Sequence, residues 1–205
     1  MLQAHDLECQ RGDRRLFSAL AFELRPGQLL RVAGANGSGK TSLLRLLAGL
    51  ALPSSGAVHW HGRPIARQRE AYAQALFYLG HLGGLKEELT PLENLRADAA
   101  LAGAAVDDDA LHQALAAWGL ARQQRLPVRV LSAGQRRRAA LARLVLTAAA
   151  LWILDEPFNA LDASAVSQLG QQLEQHLAAG GLAVVTSHQA LPFPGECVVT
   201  LQLGA

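Results

Sequence analysis

The stretch from Leu29 to Leu50 constrains the fold more than any other part of the chain. A short apolar run, Leu29-Leu30-Arg31-Val32-Ala33, stops at Gly34-Ala35-Asn36-Gly37-Ser38-Gly39-Lys40-Thr41, and Ser42 leads into a leucine-rich segment. Leucines at 43, 46, 47 and 50 recur at i, i+3, i+4 and i+7, which predicts one face of a helix. Strand, glycine loop and helix in that order build a P-loop, and Gly34 to Thr41 satisfies its G-x-x-x-x-G-K-[ST] pattern. The glycines let backbone N–H groups turn inward around phosphate oxygens, and the helix N-terminus adds its positive dipole end. Lys40 is expected to reach the β- and γ-phosphates of a nucleotide, and the Thr41 hydroxyl to hold Mg²⁺. A plain surface loop has no need of a strand before it and an amphipathic helix after it.

The rest of the chain agrees with an α/β core. Leu151 to Leu154 and Leu182 to Thr186 are continuously apolar, as parallel strands covered on both faces are. Alternation at Leu20, Phe22 and Leu24, ending at Pro26-Gly27, predicts an antiparallel strand before the P-loop. Ala57 to His61, closed by Gly62, predicts another after it. Between about 85 and 140 the signals are helical. Thr90-Pro91-Leu92-Glu93 is a capping box with proline at the first helical position. Asp107-Asp108-Asp109 opens a second helix, whose Leu111, Leu115 and Trp118 share a face before Gly119 ends it.

Composition removes several classes. Half the residues are apolar and 18% are charged, which excludes wholesale disorder. Nineteen basic against 17 acidic residues leave a net charge of +2, giving no support for an electrostatic nucleic-acid binder. Cys9 and Cys197, the two cysteines, form no CxxC or zinc ribbon, so a disulfide scaffold is excluded and a reducing compartment is expected. The opening MLQAHDLECQRGDRR lacks the apolar stretch of a signal peptide. The longest apolar run, Leu144 to Leu154, is about half the ~20 residues needed to cross a bilayer. The expectation is a chain that does not span a membrane alone.

Two further segments carry chemistry. Leu151 to Leu154 runs into Asp155-Glu156-Pro157, 115 residues after Lys40 for the first carboxylate. A buried strand ending in two acids can deliver Asp155 to a Mg²⁺ shell and Glu156 to an attacking water. In Leu131-Ser132-Ala133-Gly134-Gln135 a serine and small residues open a helix, presenting N–H groups and a dipole to an anion. The run Arg136 to Arg138 reads as the exposed face of that helix rather than an RNA-binding patch. His59 and His61 flank Trp60 on one strand face. Without a third ligand they read as a solvated face rather than a metal or haem pair.

These motifs, with Asn159-Ala160-Leu161-Asp162 and with His188 after Val184-Val185-Thr186-Ser187, resemble those of ATP-binding cassette (ABC) ATPases over the whole chain. Leu131 to Gln135 stands at the family's LSGGQ signature, with Ala133 in place of one small residue. The resemblance implies a P-loop NTPase fold in a single domain over residues 1–205. It combines a RecA-like parallel-sheet core, an N-terminal antiparallel β section and a helical subdomain at about 85–140. It also implies ATP and Mg²⁺ as cofactors, ATP hydrolysis, a head-to-tail homodimer, integral membrane permease subunits and no nucleic-acid partner. In such a dimer the signature of one protomer meets the γ-phosphate held by the other.

The resemblance makes Asp162 a D-loop residue and His188 the switch histidine that contacts the γ-phosphate. Two positions depart from the family pattern. Arg11 stands where the family has an adenine-stacking tyrosine, and a guanidinium plane can also stack on adenine. His81 falls where the family has the Q-loop glutamine that senses Mg²⁺ and the attacking water. Gly80 to Leu89 is then the segment that receives a coupling helix of the membrane partner, with Leu82, Leu85 and Leu89 as its apolar surface. Within the family, the chain is similar to the ATP-binding subunits of bacterial cytochrome c maturation exporters. That implies a peripheral place on the cytoplasmic face of the inner membrane and a part in haem delivery. The alternatives are an ATPase subunit of another importer or lipid exporter, or a soluble ABC ATPase without a transport role. A small-molecule P-loop kinase would use Gly34 to Thr41 equally well but has no use for Leu131 to Gln135.

Overall fold

The computed structural model describes residues 1–81, 83–103, 106–187, 191 and 195–204. In chain order it begins with strands β1 (Leu2–Arg11), β2 (Arg14–Leu24) and β3 (Leu29–Gly34) and helix α1 (Lys40–Leu47). Strands β4 (Ser55–Trp60) and β5 (Arg63–Pro64), helix α2 (Arg69–Ala75) and strand β6 (Leu76–Leu79) follow. Then come helices α3 (Pro91–Leu101), α4 (Asp108–Ala117) and α5 (Ala133–Ala142). Strand β7 (Leu151–Leu154), helix α6 (Ala163–Ala178) and strands β8 (Leu182–Thr186) and β9 (Val198–Leu203) complete it. The chain divides into two compact units: Met1–Tyr78 with Ala149–Glu156 and Gly170–Ala205, and Leu79–Ala148 with Pro157–Leu169.

The first unit carries two sheets, ordered β2-β1-β4-β5 and β6-β7-β8-β3-β9. In the first sheet β1 pairs antiparallel with both β2 and β4, and the β1–β2 hairpin closes with Arg11 opposite Arg14. In the second, β3 runs parallel to β8 and β9, and β7 runs parallel to β8. Every residue of β7 and β8 is buried, as the unbroken apolar runs require. Leu43, Leu44 and Leu47 of α1 join Leu30, Val32, Ile153 and Val184 in one core cluster. Full burial of each such side chain stabilises by roughly 1.5–3 kcal/mol. Because these strands are parallel, Gly34, Asp155 and Thr186 emerge at the same edge of the sheet, where open α/β sheets bind ligands.

Two expectations about this unit are corrected. Helix α1 stops at Leu47, the chain turns through Gly49 at φ 70°, and Leu50 is 57% exposed. The fourth leucine of the predicted face therefore never joins the core. Strand β4 likewise ends at Trp60, so His59 and His61 do not share a strand face. His61 adopts φ 51°, stands edge-on to Trp60, and brings its Nδ1 to 3.5 Å from the Met1 amine. His59 stands edge-on to His5. Among the described residues no group of three or more His, Cys, Asp or Glu could hold a metal.

A histidine that the motifs pass over is built into this unit. His176 of α6 stacks on Trp152 of β7, with centroids 3.9 Å apart and planes 9° from parallel, and its Nε2 lies 3.0 Å from the Leu182 carbonyl oxygen. Burial holds its pKa below the ordinary histidine value of 6.5, against the opposing pull of the Leu182 and Ala150 carbonyls. A depressed folded-state pKa means that the unfolded chain takes the proton first. The stability this site contributes is present above about 6.5 and is lost as pH falls through the folded-state value. The thermal midpoint of the wild type is expected to fall more between pH 7 and 5 than that of His176→Gln. Equal slopes in a melting series of the two proteins would remove His176 from the acid response.

The second unit is helical over its longer segment. Thr90 caps α3 with the full capping box, Glu93 N–H donating to the Thr90 hydroxyl and Glu93 accepting from Thr90. Asp107 caps α4, and Leu111, Leu115 and Trp118 are all buried. Buried Asn94 fixes the loop before α3: its Oδ1 accepts from Lys86 N–H at 2.8 Å and its Nδ2 donates to the Lys86 and Thr90 carbonyls. Arg143 donates to the Gly83 carbonyl at 3.1 Å and pairs with Asp98 at 2.8 Å. Of the three leucines expected on this loop, Leu85 and Leu89 are half-buried and Leu82 lies outside the described residues. The arginine run is a third correction. Arg137 is buried and donates from Nε to the Pro157 carbonyl at 3.1 Å, so the run is not an exposed face. Among the described residues no helix is long and apolar enough to cross a membrane.

Candidate functional site

The loop between β3 and α1 is shaped by its glycines. Gly34 has φ 149°, and a Cβ there would lie 2.6 Å from the Leu203 carbonyl oxygen, so no side chain fits. Gly39 starts α1 from the left-handed region at φ 100°. Lys40 is buried to 8% exposure, and its Nζ donates to the carbonyls of Gly34 at 2.8 Å and Ala35 at 3.1 Å. The ammonium is thereby held against the loop that surrounds it.

From there a chain of hydrogen bonds runs to the strand ends. Thr41 Oγ1 donates to Asp155 Oδ2 at 2.9 Å. Thr186 Oγ1 donates to Asp155 Oδ1 at 2.7 Å and accepts from the Glu156 N–H, also at 2.7 Å. Asp155 is 2% exposed and Thr186 fully buried, whereas Glu156 is half-buried. Glu156 is also held at φ 50°, a conformation that costs a non-glycine residue about 1–3 kcal/mol and tends to be kept at functional sites. Burial, and then the charge of Asp155, push the phenol of Tyr78 on β6 above the usual tyrosine range.

Lys40, Thr41 and Glu156 open on a cavity of about 410 Å³. Asn36, Gly37, Gly39, Lys40, Thr41 and Ser42 line one part of it, Arg11, Arg14 and Leu16 another, and Glu156 also borders it. The Thr41 hydroxyl beside the Asp155 carboxylate is a hard-oxygen pair of the kind that suits Mg²⁺, which takes one or two protein oxygens and fills its shell with phosphate and water. Thr41 and Asp155 fit that ion.

The second unit holds the signature residues, Asp162 and His81. Ser132 is exposed and caps α5: its hydroxyl accepts from Gln135 N–H, and Gln135 Oε1 accepts from Ser132 N–H at 2.9 Å. Leu131 is buried beneath this start, while Ala133 is exposed beside Ser132. A Cβ on Gly134 would lie 2.9 Å from the Ala160 carbonyl oxygen, so the Asn159–Asp162 segment packs against the bare backbone there. Asp162 accepts from Ser164 Oγ at 2.7 Å and Ala165 N–H at 2.9 Å; the Ala165 bond leads in holding its carboxyl below the usual range. It therefore caps α6. His81 occupies an exposed turn after β6. His188 lies outside the described residues.

Sequence reasoning passed over Thr186, Arg14 and Tyr78. Thr186 had a visible signal, the polar residue at the end of an otherwise apolar strand. Arg14 enters only because the hairpin register sets it opposite Arg11.

The ABC transporter family model matches residues 17–159, from the second strand to the segment after Glu156. The chain belongs to the ABC transporter family. It is similar to the cytochrome c biogenesis ATP-binding export protein CcmA of Aromatoleum aromaticum, 56% identical over 94% of this chain and 91% of that one. The protein of that name from Nitrosomonas europaea is 54% identical over 93% and 90% respectively. Among solved structures, a dimeric ATP-binding cassette in a post-hydrolysis state with ADP and Pi superposes with a TM-score of 0.84. It is 19% identical, with 100% of this chain and 97% of that one covered, and shows the shared fold. This ABC ATPase binds and hydrolyses ATP as a subunit of a transporter complex, and the fold class expected from its sequence is the one found.

Proposed function

We propose that this ABC ATPase works as a Mg²⁺-dependent homodimer on the cytoplasmic face of a bacterial inner membrane. There it would energise haem delivery for c-type cytochromes through separate permease subunits. The membrane role rests on 54–56% identity to relatives named as cytochrome c biogenesis export proteins. The observation that carries the chemistry is the network joining Thr41, Asp155, Thr186 and Glu156. Lys40 binds the β- and γ-phosphates, and the backbone of Gly34 to Gly39 with Ser42 cradles them. Thr41 and Asp155 would hold Mg²⁺, which would neutralise charge on the phosphate oxygens. Glu156 accepts a hydrogen bond from the attacking water and so polarises it toward the γ-phosphate.

The exposed start of α5 supports the dimer. The first N–H groups of a helix have no partner within it, so Ala133 and Gly134 offer donors and a positive dipole end to an anion, beside the exposed Ser132 side chain. In this reading that anion is the γ-phosphate on the second protomer, and Asp162 shapes the adjoining loop. His188 contacts the γ-phosphate of its own chain, and His81 takes the place of the Q-loop glutamine.

Two experiments test the membrane role. A strain lacking the chain is expected to lose covalently attached haem from its c-type cytochromes while b-type cytochromes persist; unchanged c-type cytochromes would assign the ATPase to another transporter. The tagged chain should also co-purify from membranes with integral subunits. Leu85→Asp, on the loop that Asn94 and Arg143 pin, is expected to release it into the soluble fraction. A variant that stays bound as tightly as wild type would move the contact elsewhere.

A further inference from the structure

We infer that the nucleotide site accepts guanine nucleotides at least as readily as ATP, through Arg11 and Arg14. The inference rests on the ATPase reading above and refines its substrate class. The cavity has a direction. Lys40, Thr41 and the loop backbone define its phosphate part, and the β1–β2 hairpin supplies Arg11, Arg14 and Leu16. That hairpin lies directly on the loop, since a Cβ on Gly39 would be 3.1 Å from Leu16 Cβ and 3.3 Å from the Phe17 ring. A nucleotide with its phosphates on the loop therefore turns its sugar and base toward the hairpin.

The hydrogen-bonding character of that part is one-sided. Arg11 and Arg14 face each other in the hairpin register, and neither has an ion-pair partner among the described residues, whereas Arg15 pairs with Glu8 at 3.2 Å. A guanidinium offers five N–H donors and no acceptor. Leu16 adds neither. Guanine presents two acceptors, O6 and N7, in a spacing that an arginine fork matches. Adenine presents N7 beside the N6 amine, whose hydrogens oppose a donor. Selection for adenine requires an acceptor for N6, and the side chains of Arg11, Arg14 and Leu16 supply none. Stacking of a guanidinium on a purine face adds affinity without separating the two bases.

The test is competition on the full purified chain with Mg²⁺, using trinitrophenyl-ATP as reporter and ATP, GTP and ITP as competitors. GTP is expected to displace the reporter at concentrations no higher than ATP. ITP, which keeps O6 and N7 but lacks the 2-amino group, should follow GTP. The double variant Arg11→Lys with Arg14→Lys keeps both charges and loses both forks. Its GTP-to-ATP affinity ratio should fall about tenfold, the scale of one lost bidentate contact. An unchanged ratio, with both affinities lowered together, would reduce the arginines to generic attraction and overturn the inference. So would a wild-type chain that binds ATP and refuses GTP, which leaves the ATPase reading intact. A chain that binds none of the three nucleotides overturns both.

Discussion

Glu156→Gln is expected to bind ATP and to stop turning it over. The substitution is isosteric, and the backbone N–H that anchors this position to Thr186 is untouched, so the strained turn at φ 50° stays in place. What is lost is the carboxylate proposed to polarise the attacking water, and a positioned general base contributes typically 10²–10⁴-fold. Phosphate release should fall by a factor in that range, while Lys40 and the loop backbone, the proposed phosphate contacts, are unaltered. In the proposed dimer nucleotide then persists between protomers, so size-exclusion chromatography with ATP and Mg²⁺ should show a dimer that ADP does not support. Turnover within tenfold of wild type would take Glu156 out of the chemistry. A strictly monomeric variant under saturating ATP would instead remove the shared-site dimer, so the two claims fail separately.

The parts of this site legible in the sequence were those whose chemistry needs a fixed local spacing. Gly34 to Thr41, the capping box at Thr90 and the serine-led helix start at Ser132 are local devices, and their side chains bond within a few residues of themselves. The buried strands were legible because a strand covered on both faces has no polar alternation to hide. What escaped depends on long-range pairing. Thr186 touches Asp155 across 31 residues of sequence, and only the parallel pairing of β7 and β8 brings them together. Arg137 looked like one of three solvent-facing arginines, yet a carbonyl 20 residues away draws it inside. Leu50 and His61 failed for the opposite reason: each continues a local pattern past a turn that the backbone takes at φ 70° and 51°. Periodicity cannot see where an element ends unless the stop is itself encoded nearby.

Thr186→Val should separate the two functions of the site, binding and hydrolysis. Valine keeps the volume and β-branching of threonine in a fully buried strand, so packing is preserved. It removes one hydroxyl that serves two groups, as donor to Asp155 Oδ1 and as acceptor for the Glu156 N–H. Leaving a buried donor or acceptor unpaired costs about 1–3 kcal/mol. Part of that cost appears as lost stability, and for a domain near 200 residues each kcal/mol lowers the melting midpoint by roughly 2–4 °C. The rest appears as geometry, because Glu156 at φ 50° has lost the bond that held its turn. Hydrolysis is expected to fall by more than tenfold, since placement of the base within hydrogen-bond reach of the water governs its contribution. ATP affinity should change less than about threefold, because a surface away from the phosphate contacts is altered and 1.4 kcal/mol would be needed for a tenfold effect. Thr186→Ser restores the hydroxyl without the methyl and should recover most of the turnover. A serine variant as slow as the valine one would place the effect in packing of the methyl group, and Thr186 would then not position Asp155 and Glu156.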